Sequence, residues 1–252
     1  MKITIITTTF NSSRFVKDCL ESVKSQNYKN IEHIIIDGGS TDETLSILNS
    51  KKTQLSKIIS EPDQGTYDAM NKGINYAQGD IIGFLNSDDI YFNNEVLFKV
   101  VNIFKKNSNL DACYSDLVYT KPDQTNKFIR YWKSSKFKPG MFSKGWCPPH
   151  PTFFVRSSVY KRYGKFNIKY KISSDVELMM RFFEIHKINF QYVPEIWVKM
   201  RMGGISNKNL KNIFKQNIEV LNALYSNNLT KNILLFFICK FISRLKQFFR
   251  RP

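Results

Sequence analysis

The stretch Ile81-Ile82-Gly83-Phe84-Leu85-Asn86-Ser87-Asp88-Asp89 decides how this chain is read. An apolar run ends abruptly in two adjacent carboxylates. A continuous apolar strand of this kind suits a sheet covered on both faces. Acidic groups at the carboxyl end of such a strand stand where open α/β sheets bind their ligands. Neighbouring carboxylates repel one another unless a positive charge joins them. A hard divalent cation that also grips a diphosphate answers that need, since Mg²⁺ typically takes one or two carboxylates plus phosphate oxygens. A turn followed by a helix cap explains the same residues, because Asp is favoured at both. The stretch alone does not choose between the two.

Outward from it, strand and helix signals alternate. Residues 2–8 are apolar and β-branched, and residues 14–26 carry Phe15, Cys19, Leu20 and Val23 at helical spacing. Residues 31–36 form a second strand that ends in Asp37-Gly38-Gly39, after which Ser40 or Thr41 caps a helix through Asn49. A short strand over 57–60 and a helix over 66–77 follow, and Gly79 turns the chain into the strand that ends at Asn86. A helix over 94–106 and a strand over 112–119 continue the alternation. The pattern predicts an α/β fold, a mostly parallel central sheet with helices on both faces. Pro122, Pro139, Gly140, Gly145, Pro148, Pro149 and Pro151 break up the middle of the chain, and loops of this length are often functional. Beyond them the spacing predicts a helix over 175–186, short strands over 190–193 and 196–200, and helices over 210–225 and 230–249.

The 252 residues suffice for one large domain or two small ones, and a hydrophobic fraction of 42% supports a true core. The four cysteines, Cys19, Cys113, Cys147 and Cys239, lie far apart with no Cys-x-x-Cys pair. That spacing argues against a zinc site or a disulfide framework and suits a reducing cytosol. Thr4 and the run from Thr7 to Thr9 interrupt any signal-peptide core. The formal net charge of +17 is concentrated in the second half: Asp123 is the sole acidic residue in 121–172, and Glu219 the sole one after Met202. Such a balance implies anionic partners, whether nucleic acid, phospholipid or a phosphorylated substrate.

Thr7-Thr8-Thr9-Phe10-Asn11, Asp37-Gly38-Gly39-Ser40-Thr41-Asp42-Glu43-Thr44 and Leu85-Asn86-Ser87-Asp88-Asp89 occur in this order at predicted strand ends. They resemble the motifs of family 2 glycosyltransferases with the GT-A fold. The segment Ser60-Glu61-Pro62-Asp63-Gln64-Gly65-Thr66-Tyr67-Asp68-Ala69-Met70-Asn71-Lys72-Gly73 is similar to the subgroup that builds bacterial capsule, colanic-acid-like and O-antigen polysaccharides. The resemblance spans residues 1–206, implying a single GT-A domain there with 207–252 as a helical extension.

The resemblance implies a donor site for a nucleotide diphosphate sugar. Asp37 would accept hydrogen bonds from the base or ribose, with Thr7, Thr9 and Asn11 in the same pocket. Gly38 and Gly39 let the backbone turn and approach the ligand. Asp68, Lys72, Asn86, Ser87, Asp88 and Arg201 complete the implied donor set. Locally, Asp37 also fits a turn, and Asp42 fits a first-turn helix carboxylate favoured by the dipole. The family's metal motif is usually Asp-x-Asp. Here its first position is Asn86, so Asp88 becomes the main Mn²⁺ or Mg²⁺ ligand with Asp89 nearby. In Ser173-Ser174-Asp175 the resemblance makes Asp175 the catalytic base of an inverting transfer, taking the proton from the acceptor hydroxyl. Ser-Ser-Asp is also a good helix N-cap, and the local sequence does not decide. Glu177, two residues on, faces elsewhere. His150, in a Pro-rich loop, matches a segment that borders the acceptor, while His33 and His186 read as structural. Arg201-Met202-Gly203-Gly204-Ile205-Ser206 resembles a loop that closes over the donor diphosphate.

Leu234, Ile238, Phe241, Leu245 and Phe248 form a helical stripe, with Lys240, Arg244, Lys246, Gln247 and Arg251 largely off it. The uncharged run over 232–239 is far short of the ~20 residues a bilayer span needs. A basic amphipathic helix lying on an anionic membrane fits, as does a helix packed on the domain. The expectation is a cytoplasmic enzyme, peripheral at the inner face of the membrane, that transfers sugar to a polyprenyl-diphosphate-linked saccharide. A nucleotidyltransferase shares the nucleotide and metal logic but needs early basic residues that the first two motifs lack. A nucleic-acid-binding module would explain the charge but not the carboxylates at strand ends, and no helix-turn-helix, RNP or zinc pattern is present.

Overall fold

The computed structural model describes residues 1–203, 210–229 and 232–249. In chain order the elements are β1 (Ile3–Thr9), α1 (Val16–Lys24), β2 (Ile31–Asp37), α2 (Thr44–Ser50), β3 (Lys57–Ser60), α3 (Thr66–Tyr76), β4 (Ile81–Phe84) and β5 (Ile90–Tyr91). There follow α4 (Val96–Lys106), β6 (Ala112–Lys121), β7 (Gln124–Trp132), β8 (Phe154–Arg156), α5 (Ser157–Tyr163), α6 (Ser174–Met180), β9 (Phe190–Arg201), α7 (Leu210–Ser226) and α8 (Ile233–Phe249). One sheet runs β3-β2-β1-β4-β8-β6-β9-β5, with β7 hanging from β6. β3, β2, β1 and β4 are mutually parallel, as are β6 and β9, while β8, β5 and β7 pair antiparallel.

The two faces of the sheet follow from the strand period of two. Ile3 and Ile5 of β1, with Ile81 of β4 and Leu85, enter one apolar cluster with Val100 and Phe104 of α4 and Trp197 of β9. Ile6, Ile82 and Phe84 enter the other, with Met70 and Ile74 of α3 and Met179 of α6. Every residue of β4 is buried, which is why its sequence is an unbroken apolar run. Gly83 has no alternative there, because a Cβ would strike the Phe154 ring of β8.

Three departures from the sequence expectation have local causes. The strands expected over 190–193 and 196–200 are one strand, β9. Tyr114 pairs with Tyr192 but Asp116 with Ile196, so the ladder bulges around Pro194, which has no N–H to donate. The helix expected over 175–186 stops at Met180 and continues as a π-helical turn, Arg181–Ile185. β5, β7, β8 and α5 were not anticipated. The exposed face of β7 and the three-residue length of β8 leave no readable periodicity. The C-terminal helices join the main core: Val220, Ala223 and Leu224 of α7 and Phe236 of α8 belong to the cluster that holds Phe84 and Met179.

Candidate active site

A cavity of about 1400 Å³ opens beyond the carboxyl ends of β1 and β4. It exceeds the roughly 300–1,000 Å³ of an ordinary small-molecule pocket. Its wall carries the acidic pair Asp88 and Asp89, Asp175 of α6, His150, and one face of α8.

At the donor end the parallel register sets Thr9, Asp37 and Ser60 in one rung across β1, β2 and β3. Asp37 is the hub of that rung. Its Oδ1 accepts from Thr9 Oγ1 at 2.8 Å and Ser40 Oγ at 2.5 Å. Its Oδ2 accepts from Ser60 Oγ at 2.7 Å, the Ser40 N–H at 2.9 Å and the Gly39 N–H at 3.2 Å. Burial alone would raise this carboxyl, but the bonds from Ser40, Ser60 and Thr9 outweigh it and hold the group below its usual range. With both oxygens engaged, Asp37 shapes the loop that follows β2. Its neighbour Gly38 and Asp63 line the cavity at this end, and Asp63 Oδ2 would lie 2.5 Å from a Cβ at Gly38. Gly38 thus brings the backbone close to the Asp63 carboxylate, and a side chain there would have to displace it. Asn11 takes a left-handed φ of 47° and turns its Oδ1 onto the Thr41 N–H at 2.9 Å.

After β4, Asn86 Nδ2 donates to Asp89 Oδ2 at 2.9 Å, and Ser87 Oγ meets Ser12 Oγ at 2.9 Å. The Asp89 side chain is fully buried and its Oδ1 has no partner. Burial, then the neighbouring Asp88, push Asp89 well above the usual carboxylate range, and burial raises Asp88 too. An orphaned buried carboxylate oxygen beside a second carboxylate is what a divalent cation satisfies, so this pair fits Mn²⁺ or Mg²⁺. The orphaned oxygen lies on Asp89. Among the described residues no cluster of three or more His, Cys, Asp or Glu offers an all-protein metal cage. Two carboxylates with phosphate oxygens suit Mg²⁺-like coordination better than such a cage.

Asp175 is the second residue of α6. The N-cap position belongs to Ser173, which makes no side-chain cap bond, so Asp175 is not the cap. Its Oδ1 lies 2.8 Å from the Tyr67 hydroxyl of α3, whose single proton is shared with the Ile172 carbonyl at 2.9 Å. Burial, then the Asp175 charge, push the Tyr67 phenol well above its ordinary value, so it stays a donor. Glu219 of α7 fixes the approach to α6 by accepting from the N–H groups of Lys171, Ile172 and Ser173 at 2.8–3.0 Å. His150 also lines the cavity, stacked 5.3 Å from the Phe84 ring, with a buried Nε2 that has no partner. Burial lowers its pKa against the opposing pull of Asp175, so the ring is neutral at neutral pH.

Four expected donor residues are placed otherwise. Thr7 is buried beneath the sheet face, its hydroxyl 3.0 Å from His33 Nε2. Asp68 and Lys72 do not line the cavity. Lys72 Nζ pairs with Glu61 at 2.8 Å and Asp68 at 3.7 Å on the outer side of α3. Helical spacing carries residues 68 and 72 away from the face that bears Tyr67 and Met70. Arg201 does reach the cavity, but its guanidinium is committed to the Pro122 carbonyl at 2.8 Å, the Asp88 carbonyl at 2.7 Å and Asp18 Oδ2 at 2.5 Å. It clamps the loop that carries the acidic pair. Gly204, Ile205 and Ser206 of the expected closing loop lie outside the described residues. Two site residues, Tyr67 and Asp63, were not singled out from the sequence. Both stand inside the 60–73 motif, whose resemblance was the available signal.

Comparison with known proteins places the fold and the family. The model of the family described as glycosyl transferase family 2 matches residues 4–175, a span that runs from β1 to Asp175. A PGL/p-HBAD biosynthesis glycosyltransferase of Mycobacterium bovis is 30% identical over 207 residues, 81% of this chain and 78% of the relative. S. aureus TarS 1-349 in complex with UDP-GlcNAc superposes with a TM-score of 0.63 at 19% identity, covering 90% of this chain and 73% of that one. The mannosyltransferase PcManGT from Pyrobaculum calidifontis, in complex with GDP-Man and Mn²⁺, gives a TM-score of 0.59 at 15% identity, covering 97% and 80%. These last two are likenesses of fold. With the matched span enclosing the strand ends that build the cavity, the chain belongs to glycosyl transferase family 2 and is a glycosyltransferase of GT-A type.

Proposed function

We propose that this glycosyltransferase moves a sugar, with inversion, from a nucleotide diphosphate sugar to a saccharide carried on a polyprenyl diphosphate lipid. It does so as a peripheral protein at the cytoplasmic face of the membrane, in the synthesis of a bacterial surface polysaccharide. The carrying observation is the single cavity that has the acidic pair, Asp175 and α8 on one continuous wall.

Thr9, Asn11, Gly38 and Asp63 would border the nucleotide, and Asn86, Ser87 and Asp88 the sugar diphosphate. A divalent cation held by Asp88 and Asp89 would neutralise charge on the leaving diphosphate. Asp175, oriented by Tyr67, takes the proton of the acceptor hydroxyl. The acceptor oxygen then bonds to the anomeric carbon on the face opposite the diphosphate, and the sugar–phosphate bond breaks with its electron pair leaving on the nucleotide. Neutral His150 would hydrogen-bond an acceptor hydroxyl through its free Nε2. Residues 1–206 form the catalytic domain in this reading. Within the extension, 207–252, α8 closes the cavity with one face and meets the membrane with the other. The outward face of α8 is apolar: Leu234, Ile238, Phe241 and Leu245 are all exposed. Among the described residues no helix is long and apolar enough to cross a membrane. Family membership sets the nucleotidyltransferase alternative aside.

The test is a panel of nucleotide diphosphate sugars offered with prenyl-diphosphate-linked saccharides, read as release of nucleotide diphosphate and gain of one sugar on the lipid. Transfer from at least one donor is expected. Transfer to water-soluble saccharides alone would overturn the lipid-linked acceptor.

A further inference from the structure

The helix α8 is amphipathic in the inverted sense. Its apolar stripe faces outward as far as Leu245, while Lys240, Arg244, Gln247 and Phe248 turn with Phe236 onto the cavity wall. There they meet Arg130 of β7, whose guanidinium lies 4.0 Å over the Tyr119 ring and 5.7 Å from the Phe248 ring. We infer that Arg130, Lys240 and Arg244 form an anion subsite that takes a phosphate or diphosphate group within the cavity.

Three observations carry this. First, the cations lack a direct counter-ion: among the described residues none of the three is in an ion pair with a carboxylate, and Asp175 acts on Lys240 only from beyond contact distance. Their polar contacts are neutral amides, Asn217 Oδ1 for Lys240 at 2.7 Å and Gln216 Oε1 for Arg244 at 3.4 Å. Second, Arg130 Nε is buried with no partner, although almost every such donor in a folded protein has one. Third, the cluster carries a standing electrostatic cost. Burial, then the Arg244 charge, bring the Lys240 ammonium down to about 8, and burial followed by Arg244 also lowers Arg130. Like charges gathered at a partly buried wall are unfavourable unless an anion completes them. A phosphate group brings about −1.5 to −2 charges and three acceptor oxygens, and the Arg fork matches its geometry.

The placement is fixed by packing as well as by charge. Gly145, at φ +72°, lets the Lys240 stem seat against its turn, where a Cβ would be 2.8 Å from Lys240 Cβ. Phe236, buried in the main core, pins the same face of α8. The phosphate has two sources, the diphosphate of the lipid-linked acceptor and that of the donor. The inference rests on the proposed reaction only for that choice of source.

The test uses the full chain without divalent cations and titrates three probes: inorganic pyrophosphate, farnesyl diphosphate and UDP. Arg244→Gln removes a charged donor and should weaken pyrophosphate binding roughly tenfold or more, the scale of one lost charge-assisted hydrogen bond. Arg244→Lys should recover part of the loss. Lys246→Gln, on the same helix but off the cavity wall, should leave all three affinities unchanged. Weakened farnesyl diphosphate with unchanged UDP assigns the subsite to the acceptor, and the reverse assigns it to the donor. If Arg244→Gln does not fold, Lys240→Gln carries the same expectation. Wild-type affinity of a folded variant for all three probes would overturn the subsite, as would an equal loss in Lys246→Gln. Intact anion binding without transfer to any lipid-linked saccharide would instead remove the acceptor reading and leave the subsite standing.

Discussion

The Tyr67 hydroxyl and Oδ1 of Asp175 lie 2.8 Å apart, joining the first turn of α3 to the first turn of α6. Residues 67 and 175 thereby meet at the cavity wall although 108 positions separate them in the chain. Tyr67 packs on Phe166 with ring centroids 5.5 Å apart, so its hydroxyl is aimed by a fixed ring.

That relationship gives the first prediction. Asp175→Asn keeps size and packing but cannot take a proton at neutral pH. Turnover should fall roughly 10²-fold or more, the usual contribution of a general base, while donor binding stays within experimental error. Tyr67→Phe keeps the ring stack and loses the orienting hydroxyl, so kcat should fall by about tenfold with KM for donor unchanged. Steady-state kinetics with donor titration measures both. Near wild-type turnover in Asp175→Asn would make the carboxylate a structural partner of Tyr67 and nothing more.

Asp89 carries the second. Its buried Oδ1 has no partner, and Asp88 stands beside it. Mn²⁺ at a hundredfold excess over its dissociation constant should stabilise the wild-type fold by about 2.7 kcal/mol. Asp89→Asn should abolish that shift without lowering the metal-free melting temperature, because the repulsion disappears with the charge. Differential scanning calorimetry with and without Mn²⁺ reads it. An undiminished Mn²⁺ shift in the variant would remove Asp89 from the metal site.

How much of this was legible depended on burial. β4 could be read because both its faces are covered, which leaves Ile81, Ile82 and Phe84 no polar alternation, and the acidic pair then marks the strand's end. The hub role of Asp37 was hidden. Its saturation needs Ser60 and Thr9 in the same rung, and parallel register is invisible in a single strand's sequence. The stripe of α8 was read at its true spacing, yet periodicity reports that two faces differ without saying which one is inside. One residue settles that: Phe236, off the stripe, is 1% exposed, so the basic face turns inward. β7 gave no signal because most of its side chains are exposed and answer to no core.

His33 makes a prediction about acid. Its ring is buried on β2, Nε2 3.0 Å from the Thr7 hydroxyl, and burial brings its pKa down from 6.5 to about 3. The folded state therefore holds His33 neutral where the unfolded chain already binds a proton. Its stabilising share is intact above pH 6.5 and is lost as pH falls from there toward 3. The slope is at most about 1.4 kcal/mol per pH unit for one such group. His33→Gln keeps a polar partner for Thr7 and cannot titrate, so its unfolding free energy should fall less steeply than wild type between pH 6.5 and 4, the roughly two-unit window urea melts can cover. Parallel curves for the two proteins would show that His33 is not the group responsible.

The outward face of α8 makes the last. Leu234 and Phe241 are 69% and 65% exposed, so charging them removes apolar surface without opening the core. Leu234→Asp with Phe241→Asp should leave unfolding free energy within about 0.5 kcal/mol per site, as surface changes do. The same pair should cost vesicle partitioning roughly 10²-fold, since each such side chain gains about 1.5–3 kcal/mol on leaving water. Phe236→Ala is the opposite case. It empties a core position and should cost about 3–5 kcal/mol of stability whatever it does to the membrane. Flotation with anionic vesicles, repeated as salt rises, separates the apolar contribution from charge attraction, which is screened beyond about 10 Å at 0.1 M. If the double variant floats like wild type, α8 does not meet the membrane, and the contact falls to the basic 121–172 segment.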